Sequence, residues 1–200
     1  MKAIITGISG QDGYFLSQFL ISKGYEVHGI LRRNSSMTRG TMELLPDGVR
    51  RKIVVHYGHI TNGNFLSILL RKEKPDEIYH LAAQNFVGYS FQNALSTYDA
   101  NIGGTLNVCN AVKDYSPDTR MYFAATSEMF GQPKESPQNE NIPFLPRSPY
   151  AVMWTHFVQT VFLTHSRNST CSYLPFCFSI HFSLNSLSFV ILASNSFGVR

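Results

Sequence analysis

The sequence predicts an α/β fold, a parallel sheet with helices on both faces, across its first 150 residues. Three observations carry this expectation. Short β-branched runs alternate with segments of helical spacing. A glycine-rich loop, Gly7-Ile8-Ser9-Gly10-Gln11-Asp12-Gly13, separates the first such run from the first helical segment. The strand–helix–strand order recurs, which calls for right-handed crossovers between parallel strands.

Lys2 to Thr6 is a β-branched run that stops at Gly7, as a buried strand does. Leu16, Phe19 and Leu20 then recur at helical spacing, and Gly24 closes that segment. Glu26 to Leu31 reads as the second strand and Ile53 to His56 as the third. Asn64 to Lys72 fits a helix, stopped by Pro75 shortly after. Ile78 to Ala82 is the fourth strand and Met121 to Ala125 the fifth. Between them, Ile102, Leu106, Val108, Cys109 and Val112 predict one long helix over Thr97 to Tyr115. Ser148-Pro149 is a helix start, with proline at the first helical position.

Composition bounds the rest. The chain has 200 residues, 44% of them hydrophobic, which suffices for one core and excludes global disorder. A formal charge of +4 is too small to argue for nucleic acid. The three cysteines, Cys109, Cys171 and Cys177, lack zinc spacing and read as reduced thiols in a cytoplasmic setting. His28, His56, His59 and His80 are scattered without ligand spacing, so no metal site is expected. Met1-Lys2 leads into too short an apolar run for a secretory leader.

The chain changes character near residue 150. Residues 151–200 hold two charged residues, Arg167 and Arg200, where soluble domains average roughly a quarter. The stretch Ser172 to Ala193 shows neither sustained alternation nor a helical period. Residues 1–150 therefore read as the folded domain and 151–200 as an atypical tail, with the character of a translated intron or shifted frame. A membrane-seeking tail is the competing reading, disfavoured by Pro175, His181, Asn185 and many serines.

The glycine loop fits a phosphate cradle. A phosphate must approach bare backbone N–H groups at a helix N-terminus, and a Cβ would block it. Strand, loop, helix and second strand follow in the order that a Rossmann-type dinucleotide fold requires. Gly7, Ile8, Gly10, Gln11, Asp12 and Gly13 are therefore candidate cofactor-binding residues. Where NAD binders carry an acidic residue for the ribose hydroxyl, this chain has Arg32 and Arg33. Guanidinium groups suit a 2′-phosphate, so NADP is the expected cofactor. The alternative is that both arginines simply face solvent.

Thr126-Ser127-Glu128 follows the fifth strand, where open α/β sheets place their chemistry. Tyr150 comes after a proline-rich loop. A hydroxyl, a carboxylate and a phenol could thus converge on one substrate. A phenol is a poor base at neutral pH unless a cation stabilises the phenolate.

These motifs resemble the GDP-mannose 4,6-dehydratases of the extended short-chain dehydrogenase/reductases. The resemblance runs over residues 1–152 and rests on Gly10-Gln11-Asp12-Gly13, Val27 to Arg33, Glu77 to Gln84, Thr126-Ser127-Glu128 and Pro146 to Tyr150. It implies a lyase that converts GDP-mannose to a 4-keto-6-deoxy sugar through internal hydride transfer with NADP. It implies that Tyr150 takes a proton from the C4 hydroxyl, that Thr126 hydrogen-bonds that hydroxyl, and that Glu128 removes the C5 proton. It places Arg32, Asn34, Ser35, Ser36, Leu81, Ala82, Gln84 and Tyr150 beside the cofactor, and it implies homo-oligomers.

Two departures stand out. The family usually has aspartate near the adenine, where this chain has Gly58-His59-Ile60. The family's lysine four residues after the tyrosine is Trp154 here, and no substrate domain is recognisable after Val152. An impaired enzyme is the resulting expectation. Another nucleotide-sugar epimerase or reductase, or a non-catalytic dinucleotide-binding protein, are the alternatives.

Overall fold

The computed structural model describes residues 1–33, 40–133 and 142–159, and the backbone of 160–166, 177–181 and 190–194. In chain order the elements are β1 (Lys2–Thr6), α1 (Gln11–Ser22), β2 (Glu26–Leu31), α2 (Asp47–Arg50), β3 (Ile53–Tyr57), α3 (Gly63–Glu73) and β4 (Glu77–His80). They continue with α4 (Val87–Gln92), α5 (Ala94–Tyr98), α6 (Gly104–Tyr115), β5 (Arg120–Ala124), α7 (Pro149–Ser166), β6 (Cys177–His181) and β7 (Val190–Ser194). The chain forms two compact units, Met1–Ala83 with Gly104–Tyr122, and Gln84–Gly103 with Phe123–Arg200.

The first unit is built on a parallel sheet ordered β3-β2-β1-β4-β5. Ile4 of β1 lies opposite His28 of β2 and Ile78 of β4, and His28 lies opposite Val54 of β3. Strand alternation sends Ala3 and Ile5 to one face, where they form a core with Leu20 of α1, Val27, Leu31 and Met42. Ile4 and Ile78 belong to the other set, and α3 and α6 pack on each other. The buried stripe of α3 is Leu66, Leu69 and Leu70, the spacing of one helical face. The strand order reverses between β1 and β4, the point at which open α/β sheets bind ligands beyond their C-terminal strand ends.

The second unit holds α4, α5 and α7, with α7 packed on both shorter helices. Ser148 caps α7, its Oγ accepting from Ala151 N at 3.1 Å, as the Ser148-Pro149 pair predicts. β6 and β7 pair antiparallel, Ile180 opposite Ile191. Nothing in the pattern of the tail foretells these two strands. No helix among the described residues is long and apolar enough to cross a membrane.

β4 ends at His80, two residues before the expected Ala82, because the Leu81 and Ala82 N–H groups turn to Thr6 Oγ1. The single helix expected over Thr97 to Tyr115 is α5, a π-helical turn over Asp99–Gly103, and α6. The widened turn carries the fully buried Asn101, whose amide clamps a backbone in the same unit: Oδ1 accepts from Gln84 N at 2.7 Å and Nδ2 donates to Gln84 O at 3.0 Å.

Candidate cofactor cradle and catalytic cluster

The cradle lies in the first unit. Gly7 leaves β1 with φ +74°, and a Cβ there would stand 2.8 Å from Ala82 N. At Gly13 a Cβ would meet Ile8 backbone at 2.6 Å, so α1 packs against the loop at a distance only glycine permits. Gly10, the N-cap of α1, supplies no side-chain cap to the N–H groups of the first turn. Those donors carry the positive end of the helix dipole and suit an anion. Gly10, Gln11 and Asp12 are exposed and Gly7 is half-buried, so the cradle is open to a ligand. The residues present fit a dinucleotide pyrophosphate.

Beneath the cradle, Thr6 organises the strand ends. Its Oγ1 accepts from Leu81 N and Ala82 N, each at 3.1 Å, and donates to His80 Nδ1 at 2.7 Å. His80 Nε2 then donates to Thr105 Oγ1 at 3.0 Å. Full burial lowers the His80 pKa to about 4 and keeps the ring neutral. The sequence marks Thr6 as a strand end and His80 as a histidine without ligand spacing; their link spans β1 and β4 and leaves no local signal.

Arg32 and Arg33 are exposed at the end of β2. The Arg33 guanidinium lies 5.4 Å from the centre of the Tyr57 ring. Asn34, Ser35 and Ser36 lie outside the described residues. At the Gly58-His59-Ile60 departure, His59 Nδ1 accepts from Thr61 N at 3.2 Å and lies 2.7 Å from Thr61 Oγ1. A histidine there holds its own turn, as a short acidic side chain does. The scattered histidines are not all apart: His28 Nδ1 and His56 Nε2 stand 2.8 Å from each other.

The catalytic candidates lie in the second unit. Thr126 lies two residues past the end of β5 and caps a short 3₁₀ turn, accepting from Glu128 N at 3.3 Å. Glu128 is exposed, and Tyr150 is 7% exposed in the first turn of α7. Burial raises the Tyr150 pKa above its ordinary value. A hydrogen bond from Thr126 and the nearby Trp154 indole lower it, and the Glu128 charge raises it. The fold therefore groups the phenol, hydroxyl and carboxylate, but the phenol stays protonated.

Trp154 occupies the turn after Tyr150 and is 1% exposed. Its ring centre is 5.2 Å from Phe123, 6.2 Å from Phe157 and 6.3 Å from Tyr150. The buried Nε1–H meets no partner at hydrogen-bonding geometry among the described residues, so it assists the phenolate only weakly. Sequence reading missed Ser90, fully buried on α4, whose Oγ accepts from Tyr150 N at 3.2 Å. No local signal marks it, since its partner is sixty residues away. Gln84 reaches its own loop: Oε1 accepts from Phe86 N at 2.6 Å and Nε2 donates to Phe86 O at 3.2 Å.

A parallel sheet with a switch point and a glycine cradle defines the Rossmann-type class of α/β proteins. A family model described as GDP-mannose 4,6 dehydratase matches residues 4–184, beyond Val152, where the resemblance read from the sequence ends. The chain belongs to this family. It is 44% identical over 156 residues to the GDP-mannose 4,6-dehydratase of Vibrio cholerae, covering 76% of this chain and 42% of that protein. It is 46% identical over 154 residues to the GDP-mannose 4,6 dehydratase of Homo sapiens, covering 74% and 41%. The chain thus spans about two fifths of the length of these relatives. A solved UDP-glucose 4-epimerase from Bifidobacterium longum, in complex with NAD+ and UDP, shares the fold at TM-score 0.72 and 20% identity, covering 84% of this chain and 50% of that one.

Proposed function

We propose that residues 1–150 form the NADP-binding domain of a GDP-mannose 4,6-dehydratase, and that this chain itself turns over slowly. The observation that carries the reading is the cradle at Gly7, where positive φ and the 2.8 Å approach of Ala82 N admit backbone and no side chain. Membership of the dehydratase family and a fold shared with an NAD-bound epimerase support it. Arg32 and Arg33 favour the 2′-phosphate of NADP over NAD. A cytoplasmic setting and homo-oligomers belong to the same reading.

The first-turn N–H groups of α1 would hold the pyrophosphate, with Leu81 and Ala82 bordering the nicotinamide side. A bound nicotinamide dinucleotide supplies hydride acceptance and return. Tyr150 would accept the proton of the sugar C4 hydroxyl at its phenolic oxygen, while Thr126 hydrogen-bonds that hydroxyl. Glu128 would then take the C5 proton, which a 4-keto group makes acidic, and pass a proton to the departing C6 hydroxyl. Raising the pKa of Tyr150 works against the first step, because the base must be ionised. Trp154 cannot supply the cation that would offset this. Slow turnover follows from that chemistry.

Incubating the chain with GDP-mannose and NADP+ tests the reading. The expected result is calorimetrically detectable NADP+ binding and a trace of 4-keto-6-deoxy product without net cofactor reduction. Net consumption of cofactor would point to a reductase. Absence of NADP+ binding would overturn the assignment.

A further inference from the structure

We propose that His28, His56 and Glu73, all in the first unit, form a binding site for one divalent transition-metal ion of the zinc type. The three residues come from separate elements, β2, β3 and α3, and their ligand atoms all lie within 4.8 Å of one another. His28 Nδ1 is 2.8 Å from His56 Nε2 and 3.7 Å from Glu73 Oε2. The edge of a tetrahedron with bonds of ~2.0 Å is about 3.3 Å, so these separations bracket the value that zinc requires.

The fold brings them together for reasons visible in its geometry. His28 and His56 are two register positions apart on paired strands, so both point to the same face. Glu73 follows Leu66, Leu69 and Leu70 on α3 at the next position of the same stripe, where another apolar residue is expected. A carboxylate and an imidazole thus replace hydrocarbon at the rim of the core. His28 is 2% exposed and the Glu73 side chain 10%.

The orientation of His28 is already that of a ligand. Its Nε2 is 2.8 Å from Glu26 Oε1, and a carboxylate can only accept, so Nε2 carries a proton and Nδ1 is the nitrogen left for an ion. A carboxylate behind a ligating histidine is the usual orienting partner in metal sites. His28 Nδ1 and His56 Nε2 now share one proton across 2.8 Å. An ion would take the place of that proton, which would pass to His56 Nδ1 or to solvent, and no electrons would be transferred. Two imidazoles and a carboxylate form the donor set that suits zinc, cobalt and nickel, with water in the fourth position.

At present the Lys2 ammonium serves as the local cation, 2.9 Å from Glu73 Oε2 and 3.6 Å from Glu26 Oε1. Lys72 Nζ adds a contact of 3.3 Å to Glu73 Oε1. The two carboxylates and two ammonium groups nearly cancel, and Lys72 is largely exposed, so it can leave Glu73 without a buried cost. An ion here would tie β2, β3 and α3 together as a structural clip.

The test uses the full chain, stripped with EDTA, titrated with Zn2+ by calorimetry in a non-chelating buffer. One ion per chain is expected, with the melting temperature rising by roughly 5–10 °C at a hundredfold excess over Kd. His56→Ala and Glu73→Gln should each weaken binding at least tenfold while the far-UV circular dichroism is retained, and His59→Ala should leave it unchanged. Because Glu73 also holds Lys2, His56→Ala, whose ring is half-buried on an outer strand, is the deciding variant. Co2+ should give visible d–d bands without a thiolate charge-transfer band. Binding absent up to millimolar Zn2+, binding indifferent to His56→Ala, or a thiolate band that places the ion on cysteine would overturn the proposal.

Discussion

Thr6 Oγ1 donates to His80 Nδ1 across 2.7 Å, and the direction of that bond is fixed. Thr6 has spent both lone pairs on Leu81 N and Ala82 N, so its single proton has nowhere else to go. His80 is thereby held neutral with its own proton on Nε2, facing Thr105. Protonating Nδ1 would set two donors against each other inside the core. The His80 pKa is about 4 in the fold against 6.5 ordinarily. A depressed pKa contributes stability that is complete above pH 6.5 and drains away as pH falls towards 4. The loss should reach about 3 kcal/mol. Urea unfolding at pH 7.5 and at pH 4.5 measures it. His80→Gln should be less stable at pH 7.5 and should show a shallower decline, and an equally steep decline would remove His80 from the account.

Three glycines separate two physical causes that usually travel together. Gly7 has positive φ and no room for a Cβ, Gly24 has φ +80° with nothing within 4 Å, and Gly48, in α2, has open space and no such φ. Gly48→Ala should be neutral or stabilise by up to ~1 kcal/mol. Gly24→Ala should cost about 1 kcal/mol from backbone strain alone. Gly7→Ala should cost more than ~2 kcal/mol and should also abolish NADP+ binding. Thermal melts give the first three values and calorimetry the last. Retained cofactor binding in Gly7→Ala would dissociate the cradle from the ligand.

The sequence was legible where local chemistry decides. β1 and β2 match their expected limits at both ends, because each β-branched run stops against a turn that glycine or charge enforces. The candidate residues Thr126 and Tyr150 stand out because they lie just past a strand end and at a helix start. Legibility failed where a single long-range contact decides. Asn101 widens its helix by one turn to clamp Gln84, and periodicity carries no trace of that. Ser90 holds the Tyr150 backbone from another helix, and His28 meets His56 from the neighbouring strand. β6 and β7 arise in a segment without alternation, so neither run announced itself.

Cofactor choice should follow the two arginines at the end of β2. Replacing both, Arg32→Glu with Arg33→Glu, puts carboxylates where a 2′-phosphate would sit and where a ribose hydroxyl could donate. The ratio of NADP+ to NAD+ affinity should fall at least tenfold. Arg33 lies over Tyr57, so Tyr57→Ala should weaken NADP+ alone by about two- to fivefold through the lost cation–π contact. Paired titrations with the two dinucleotides decide. An unchanged ratio in the double variant would mean that both guanidiniums serve solvent.

Trp154 sets activity against stability, and two substitutions pull these apart. Its indole is buried among Phe123, Phe157 and Tyr150, yet its N–H is unpaired among the described residues. Trp154→Phe keeps most of the packing and deletes the orphan donor, so stability should change by less than ~1 kcal/mol. Trp154→Lys loses the ring and buries a flexible cation, at a cost of about 3–5 kcal/mol. In return the ammonium, one helical turn from the phenol, should lower the Tyr150 pKa. Resonances of ¹³C-labelled tyrosine, assigned with Tyr150→Phe, give that pKa directly. A Tyr150 that titrates no lower in Trp154→Lys than in the parent would show that the phenol and position 154 are uncoupled. The slow turnover proposed for this chain would then need another cause.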